Sequence, residues 1–361
     1  MQIISIVSGL PPAIDGVGDY ALNLARQLRK DFAIETHFII GNPKWVGAAE
    51  IEGFTVSKVG DRSVANLLSL LDGNDRPSTI LLHYVCYGYA WRGCPFWLIN
   101  GLQRWRSASR VRSLVTMFHE TYAFGPFWTS TFWVSPLQKH LLARLARLSD
   151  RSLTSKQGYG KIISKLSEGK HTQIPAIPVF STIGEPEQPP PLVERPRRLV
   201  VFGAVPTRRR VYQRSLAALE RTCQELLIEE IVDIGPATEL EISAINGVPV
   251  IVMGQRTTAE VSTILSSSIV GFFDYHTEYL AKSTIFAAYC AHRLIPVGTF
   301  YSDFQEDGLQ AGKHYWLADR PRDSMSLTAG QAIADNAYTW YQSHNLSSQA
   351  KVFAAQLTSK Y

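Results

Sequence analysis

The chain has 361 residues, too many for one ordinary domain and typical of two. Hydrophobic residues make up 45% and charged residues 19%, proportions that exclude an intrinsically disordered protein. The net charge of +5 is too small to indicate a nucleic-acid-binding protein, but it is compatible with phosphate-bearing ligands or an anionic membrane surface.

Neither a secretory nor a metal-binding protein is indicated. The sequence contains no run of 18 apolar residues and no basic N-terminal lead followed by a long apolar segment, so we expect a cytoplasmic protein. The cysteines show no C-x-x-C spacing and no pairing with histidines, which predicts neither a zinc site nor a disulfide framework. They are Cys86, Cys94, Cys223 and Cys290.

The first half of the chain alternates apolar runs with amphipathic stretches. Strands are predicted at 3–9, 33–40, 79–85, 113–119 and 177–180. Helices are predicted between them, at 17–30, 97–107 and 136–149.

A stretch rich in proline and charge, "STIGEPEQPPPLVERPRR" from Ser181 to Arg198, then interrupts the pattern and predicts a domain boundary. Beyond it, strands are predicted at 198–203, 228–235, 248–254, 268–275 and 294–298, with helices at 209–226, 257–266 and 281–292.

Continuously apolar strands that alternate with helices predict parallel sheets covered on both faces. The fold class is therefore α/β, with two tandem Rossmann-like, doubly wound domains at 1–185 and 197–335. A helical segment at 336–361 is expected to pack back on the first domain. Ligands of such sheets bind beyond the carboxyl ends of the strands, so we expect the active site in a cleft between the domains.

The turn "DGVGDYA" contains Gly16, Gly18 and Ala21 in the spacing of a dinucleotide-binding fingerprint, which leaves an NAD-linked enzyme as one alternative. The context disfavours it, because Pro11 and Pro12 separate the turn from the preceding strand. We instead expect Asp15 or Gly16 to cap a helix that begins near Val17. Small residues there let a phosphate or an acceptor hydroxyl approach backbone N–H groups, although a plain loop-to-helix turn is also compatible.

Three segments together resemble the GT-B glycosyltransferases, and in particular the retaining group around family four. They are the Gly16–Gly18 turn, "SLVTMFHETYAFGPFW" from Ser113 to Trp128, and "AYCAHRLIPVG" from Ala288 to Gly298. Their order and spacing agree with that group along essentially the whole chain.

The resemblance implies an enzyme of polysaccharide biosynthesis that moves a sugar from a nucleotide-diphosphate donor to a hydroxyl of a glycan or lipid-linked acceptor. It implies that the second domain binds the donor and the first the acceptor. Retention of configuration without a metal or other cofactor is also implied, since basic side chains and helix N-termini can neutralise the leaving diphosphate.

Two basic segments are candidates for the diphosphate. Arg208 and Arg209 follow the first strand of the second domain, near the place of the group's lysine, whereas Ala204 stands where it has arginine. Lys282, Ser283 and Thr284 begin a predicted helix and suit a phosphate cradle. A solvated basic turn and an ordinary helix cap are the structural alternatives.

The group's E-x7-E motif is missing, because Leu280 and Ala288 stand where its glutamates belong and Arg293 replaces a usual glycine. Glu278 could supply a carboxylate to the donor if the loop is shifted. The loss also leaves open a degenerate, non-catalytic GT-B protein that binds a nucleotide, a glycan or a partner enzyme.

The first domain supplies the candidates for the reaction centre. His119 ends a predicted strand and, by the resemblance, would contact the donor sugar near the developing positive charge. Glu120 could orient or deprotonate the acceptor. Tyr122, with Gly16, Val17 and Gly18, is assigned to the acceptor or phosphate side.

A peripheral membrane contact at the inner face of the membrane is predicted from "PFWLINGLQRWRSASRVRS". This stretch places bulky apolar residues before clustered arginines, as at an anionic interface, although ordinary helix packing explains the same residues. They are Phe96, Trp97, Leu98, Arg104, Arg106, Arg110 and Arg112.

Overall fold

A computed structural model describes residues 1–72, 77–302, 306–320 and 324–358. The chain forms two compact units, Met1–Pro178 with Leu346–Tyr361, and Val179–Asn345. It passes between the units at 178/179 and again at 345/346, whereas the sequence places the domain limits at 185, 197 and 335. Residues 359–361 of the predicted C-terminal segment lie outside the described residues.

The first unit contains a seven-stranded sheet. Its strands are β1 (Gln2–Val7), β2 (Glu35–Ile40), β3 (Glu50–Ile51), β4 (Phe54–Lys58), β5 (Thr79–Tyr84), β6 (Ser113–Phe118) and β7 (Arg151–Thr154). Its helices in this part of the chain are α1 (Gly16–Phe32), α2 (Val64–Leu71), α3 (Cys86–Tyr89), α4 (Phe96–Ser107), α5 (Ser130–Leu148) and α6 (Gln157–Leu166).

The strand order of the first sheet is β3-β4-β2-β1-β5-β6-β7, and among these described strands only β3 and β4 pair antiparallel. Along β2, Ile39 packs into one core cluster, while Phe38 and Ile40 pack into another. Successive side chains of a strand point to opposite faces, so the sheet is buried on both.

The second unit repeats this plan. Its strands are β8 (Arg198–Phe202), β9 (Glu230–Ile234), β10 (Ala244–Ile245), β11 (Val248–Gly254), β12 (Val270–Phe272), β13 (Ile295–Gly298) and β14 (Trp316–Leu317). Its helices are α7 (Val205–Arg214), α8 (Leu216–Glu225), α9 (Thr258–Ser266), α10 (Thr284–Ala291) and α11 (Leu327–Gln342). The strand order is β10-β11-β9-β8-β12-β13-β14, with one antiparallel pair, β10 and β11.

Helix α12 (Leu346–Thr358) ends the described chain and packs on α1 of the first unit. The hydroxyl of Tyr20 donates a hydrogen bond of 2.5 Å to Oε1 of Gln349, and the rings of Tyr20 and Phe353 lie 6.5 Å apart, edge to face. The last helix thus supplies part of the core of the N-terminal unit.

Some predicted elements are wrong in detail. The helix expected at 209–226 is divided at Ser215 into α7 and α8. The strand expected at 177–180 does not form, since only an isolated bridge joins Thr154 to Ala176 and Pro178 cannot donate to a ladder. None of the described helices combines the length and apolar character needed to cross a membrane.

Candidate active site

A cavity of about 180 Å³ lies in the second unit where the strand order reverses. Strand β8 has β9 on one side and β12 on the other, and residues at the carboxyl ends of β8 and β12 form the cavity walls. A reversal of strand order leaves a crevice there, which is the usual ligand site of a doubly wound sheet. This cavity is our candidate donor site.

The start of α10 forms one wall of the cavity with Lys282, Ser283 and Thr284. Ser283 is the N-cap, and its Oγ accepts a hydrogen bond of 3.2 Å from the backbone N–H of Phe286. The ammonium group of Lys282 lies 5.7 Å from the centre of the Tyr279 ring. A lysine, two hydroxyls and the positive end of a helix dipole are thus brought together, a combination suited to phosphate oxygens.

Arg208 also lines the cavity, but its guanidinium group is held inside the unit. Its Nη2 and Nε donate to Asp233 at 2.5 and 3.1 Å, and its Nη1 donates to the carbonyl of Pro236 at 2.6 Å. The Tyr212 hydroxyl donates to the same carboxylate at 2.9 Å. Arg208 is 1% exposed and Asp233 is 2% exposed, so this is a buried ion pair that supports the cavity wall.

Arg209 is directed away from the described cavity lining. Its guanidinium group donates to the carbonyl of Thr238 at 2.8 Å and to the Glu239 carboxylate at 2.6 Å. Glu278 lies in the 3-10 turn at 277–282 and is likewise outside that lining. The structure therefore brings Lys282, Ser283, Thr284 and Arg208 together on the cavity lining, which does not include Arg209 or Glu278.

The carboxylate that does line the cavity is Asp274, which the sequence analysis missed. Its side chain accepts hydrogen bonds from Ser215, at 2.7 Å, and from Tyr301, and lies 4.0 Å from Nε of Arg210. Burial and this carboxylate raise the pKa of Tyr301 to about 12. The signal was an acidic residue directly after the apolar run "SIVGFF", the usual place of a ligand-binding side chain.

Leu280 and Ala288 occupy the positions expected for the two glutamates, and both are buried, at 1% and 0% exposure. Arg293 pairs with Asp335 at 2.5 Å. These positions are therefore part of the packed interior and of a structural ion pair.

The glycine turn of the first unit borders a second cavity, of about 660 Å³, beyond the end of β1. Asp15 caps α1, as predicted: Oδ1 accepts from the backbone N–H groups of Val17 and Gly18 at 3.0 and 3.3 Å, while Oδ2 accepts from Ser8 at 2.6 Å. A carboxylate already neutralises this helix end, so the turn suits a hydroxyl-bearing ligand better than a phosphate.

The two glycines of the turn have different surroundings. A Cβ atom on Gly16 would meet no atom within 4 Å, whereas one on Gly18 would lie 2.3 Å from the carbonyl oxygen of Gly9. Gly18 therefore permits the close approach of α1 to the end of β1, and Gly16 lines the cavity.

His119 and Glu120 directly follow β6. His119 is only 7% exposed, and its Nε2 lies 3.1 Å from Nδ1 of His83, which is 1% exposed. The ring of Tyr20 meets the His119 ring edge-on, with centroids 5.0 Å apart. Sequence reasoning missed His83 and Tyr20; the signal for His83 was a histidine inside the apolar strand "TILLHY".

The predicted membrane face on α4 is wrong in part. Trp97 and Leu98 are buried in the core, because α4 packs them towards the sheet. Arg106 pairs with Asp150 at 3.0 Å, and Arg112 donates to Asp72 at 2.8 Å. Phe96 remains exposed.

A different surface of the same unit is apolar. It comprises five aromatic side chains between 45% and 74% exposed, which we call the aromatic surface: Phe124, Phe127, Trp128, Phe132 and Trp133. Tyr122 is half-buried beside it, with its ring 4.6 Å from that of Phe124. The ammonium group of Lys139 lies 5.8 Å from the Tyr122 ring.

No protein-family model matches the chain, and no curated protein sequence matches it. Solved structures do match along the full length. HepE from Anabaena, in complex with UDP and glucose, has a TM-score of 0.63 and 11% identity, with all of both chains covered. An alpha-glucosyltransferase in complex with UDP and DNA has a TM-score of 0.62, also at 11% identity with all of both chains covered.

WaaG, a glycosyltransferase involved in lipopolysaccharide biosynthesis, has a TM-score of 0.61 and 12% identity, with 99% of this chain and 100% of WaaG covered. Each match spans both Rossmann-like units of the chain. The chain therefore has the GT-B glycosyltransferase fold, and the fold class predicted from the sequence is confirmed.

Proposed function

We propose that this chain is a glycosyltransferase that moves a sugar from a nucleotide-diphosphate donor to a hydroxyl of a glycan or lipid-linked acceptor, with retention and without a metal. The observation that carries the proposal is the cavity between β8 and β12, where Lys282 stands at the start of α10. Two structures of similar fold, HepE and the alpha-glucosyltransferase, are complexes with UDP.

In the proposed donor site, Lys282, Ser283 and Thr284 bind the diphosphate, and the N-terminus of α10 stabilises the charge that develops on it as the sugar leaves. Asp274 is the proposed carboxylate for a ribose or sugar hydroxyl, in place of the two missing glutamates. Arg208 supports the wall through Asp233. Arg209 and Glu278 are not assigned to this proposed site, since the cavity lining does not include them.

On the acceptor side, we assign His119 to the reacting sugar and Glu120 to the acceptor hydroxyl. Glu120 is half-buried at the end of β6, where a carboxylate can accept a proton from a hydroxyl nucleophile. Tyr122 and the turn Gly16–Gly18 are assigned to acceptor binding. The Asp15 cap supports this assignment, because it favours a hydroxyl over a phosphate beside α1.

The test is a thermal-stabilisation screen with UDP, GDP, TDP, ADP and NAD, since a ligand that binds only the folded state raises its melting temperature. We expect one nucleoside diphosphate to stabilise the protein. Lys282→Ala should weaken its binding by roughly 10- to 100-fold, because a charged hydrogen bond contributes about 1.5–3 kcal/mol. The exposed Lys313 of the same unit provides a matched control, Lys313→Ala.

Stabilisation by none of the diphosphates would contradict the donor site, and stabilisation by NAD alone would favour the NAD-linked enzyme. The buried Leu280 and Ala288 motivate the other alternative, a GT-B protein that binds without turnover. Measured transfer from, or slow hydrolysis of, any nucleotide sugar would exclude it.

We also propose that the protein is cytoplasmic and that its aromatic surface contacts the inner face of a membrane. Residues 86–148 contain eight Arg and Lys residues and one Glu, and three of the arginines pair with carboxylates outside this range, Arg106 with Asp150, Arg112 with Asp72 and Arg147 with Glu168. The remaining excess of basic residues favours anionic lipid. Gln138 of α5 connects two segments beside the aromatic surface. It donates to the carbonyl of Arg92 at 2.8 Å and accepts from the N–H of Ala123 at 2.8 Å.

Co-sedimentation with vesicles tests this contact. We expect binding to vesicles that contain phosphatidylglycerol, and weaker binding to phosphatidylcholine alone. Trp128→Ala with Trp133→Ala should reduce the bound fraction severalfold, since interfacial binding scales with buried apolar area. Val193→Ala, at another exposed apolar residue, should leave it unchanged. Equal binding by all variants would refute the surface.

A further inference from the structure

The two buried histidines of the first unit are held in one arrangement by the sheet. His83 is the penultimate residue of β5, and His119 follows β6, with its backbone N–H donating to the carbonyl of Tyr84 at 3.1 Å. The ring centroids lie 5.4 Å apart and the ring planes differ by only 20°. Nδ1 of His83 faces Nε2 of His119 at 3.1 Å, a hydrogen-bond distance.

A hydrogen bond between two ring nitrogens needs one hydrogen, and either ring can carry it. Complete burial lowers the pKa of His83 to about 3, because the imidazolium form loses its hydration. His83 is therefore neutral at ordinary pH and has a single N–H, which lies on either Nδ1 or Nε2.

The surroundings of His83 decide between these two tautomers. Its Nε2 is buried without a hydrogen-bond partner in the described part of the chain. A hydrogen on Nε2 would make that atom a buried N–H donor without an acceptor, an arrangement that is rare in folded proteins. The favoured tautomer therefore has its hydrogen on Nδ1, where the bond to His119 uses it.

We propose that His83 is a positioning residue: its Nδ1–H donates to Nε2 of His119 and holds His119 in the tautomer that carries hydrogen on Nδ1. The tautomer of His119 is inferred from the geometry of the two histidine rings. The effect on sugar transfer rests on the proposed function. In that setting His119 is a hydrogen-bond donor through Nδ1. Its Nε2 is occupied, so Glu120 is left as the base for the acceptor.

Tyr20 restrains the same ring from the side. Its ring meets His119 edge-on, at an interplanar angle of 83°, and its hydroxyl is fixed by Gln349 of α12, which is fully buried. Gln349 in turn donates to the carbonyl of Pro178 at 2.5 Å. Ring orientation and ring tautomer are thus set by different neighbours, which an experiment can separate.

The test is the long-range ¹H–¹⁵N spectrum of the full chain labelled with ¹⁵N-histidine, in which each ring tautomer has a distinct pattern. The spectrum of His119→Asn assigns the His119 signals. We expect Nδ1–H for both His119 and His83. A pattern of Nε2–H at either residue would overturn the proposal.

Three variants of His83 separate positioning from packing. His83→Phe keeps a ring without the donor, and we expect His119 to become a mixture of tautomers. His83→Asn places an amide N–H near the position of Nδ1 and should restore Nδ1–H at His119. His83→Gln places its amide nearer to the position of Nε2 and should not restore Nδ1–H at His119. An unchanged His119 pattern in His83→Phe, or equal patterns in the Asn and Gln variants, would also overturn it.

The consequence for transfer has its own readout. We expect His83→Phe to lower kcat by about 10- to 100-fold with little change in donor KM, a size taken from the loss of the hydrogen-bond partners that orient metal-ligating histidines. His83→Asn should recover most of that loss. If no nucleotide sugar is bound or turned over, the proposed function is refuted. The tautomer proposal is tested separately, by the ¹H–¹⁵N spectrum.

Discussion

Gly16 and Gly18 belong to the same short turn, but their roles can be separated at the level of single atoms. We predict that Gly18→Ala destabilises the protein by about 1–3 kcal/mol, the usual cost of forcing extra atoms into a packed site. The reason is that its new Cβ would lie 2.3 Å from the carbonyl oxygen of Gly9, which belongs to the backbone and cannot swing away. Urea denaturation measures the change.

Gly16→Ala is the matched control, because its Cβ would meet no atom within 4 Å and the residue lies at the start of α1. We expect a change within about 0.5 kcal/mol, or a small stabilisation from the lower entropy of the unfolded chain. Equal losses of unfolding free energy in both variants would mean that this turn needs glycine for its backbone conformation. The close packing of α1 against β1 would then not be the reason for Gly18.

The buried pair Arg208–Asp233 makes a second prediction at this scale. Asp233→Asn removes a carboxylate that accepts from Arg208 and from Tyr212, and leaves the guanidinium charge buried. The expected loss of stability is about 3–5 kcal/mol. Chemical denaturation of the variant at neutral pH measures it.

The neighbouring pair Arg209–Glu239 is the comparison, since its two side chains are 38% and 84% exposed. Glu239→Gln should cost less than about 1 kcal/mol, because exposed ion pairs are screened by water and salt. A small effect of Asp233→Asn would show that Arg208 does not depend on Asp233. Arg208 would then again be a candidate phosphate ligand.

At the scale of elements, the sequence predicted the central strands well. β1, β5, β6, β8 and β13 are buried on both faces, and their continuous apolar runs identify them without knowledge of the fold. The edge strands β3, β7, β10 and β14 were missed, and so was β4 beside β3. These strands are two to five residues long, and part of their stability comes from a neighbouring strand that the local pattern does not contain.

The candidate site was predicted only where local pattern and tertiary placement agree. Lys282, Ser283 and Thr284, which line the cavity, could be proposed from the sequence because a helix cap is a local signal. The ion pair of Arg208 could not be predicted, since its partner Asp233 is 25 residues away on β9. His83 and His119 are 36 residues apart, and only the parallel pairing of β5 with β6 brings them together.

Helix α12 carries the prediction for this scale. Phe353 is fully buried between α12 and the first unit, beside Tyr20. We expect Phe353→Ala to cost about 3–5 kcal/mol, because it removes a large apolar side chain and leaves a cavity. The exposed Lys351 on the same helix supplies the control, Lys351→Ala, with an expected change within about 0.5 kcal/mol.

The measurement is the denaturation of the N-terminal unit, to which α12 belongs. If α12 is only loosely attached, the two substitutions will have equally small effects. A large effect of Phe353→Ala that also disturbs the His119 spectrum would be consistent with the contact between α12 and Tyr20.

At the scale of the whole molecule, the chain has separate cores. One set of buried clusters draws its side chains from β1, β2, β5 and their helices, and another from β8, β9, β12 and theirs. A protein with two such cores is not expected to unfold as a single two-state system. Phe353→Ala should lower the melting temperature of the first unit, and Asp233→Asn that of the second. A calorimetric scan of each variant therefore shows which transition belongs to which unit.

This separation gives the last prediction. A nucleoside diphosphate that binds between β8 and β12 should stabilise the second unit directly, by about 2.7 kcal/mol at a concentration of 100 Kd. The transition lowered by Asp233→Asn should therefore rise in temperature on addition of the ligand identified by screening. The transition lowered by Phe353→Ala should respond less, because the proposed donor cavity is built from residues of the second unit. A larger response of the first unit would place the nucleotide beside the glycine turn, and with it would revive the dinucleotide interpretation of Gly16 and Gly18.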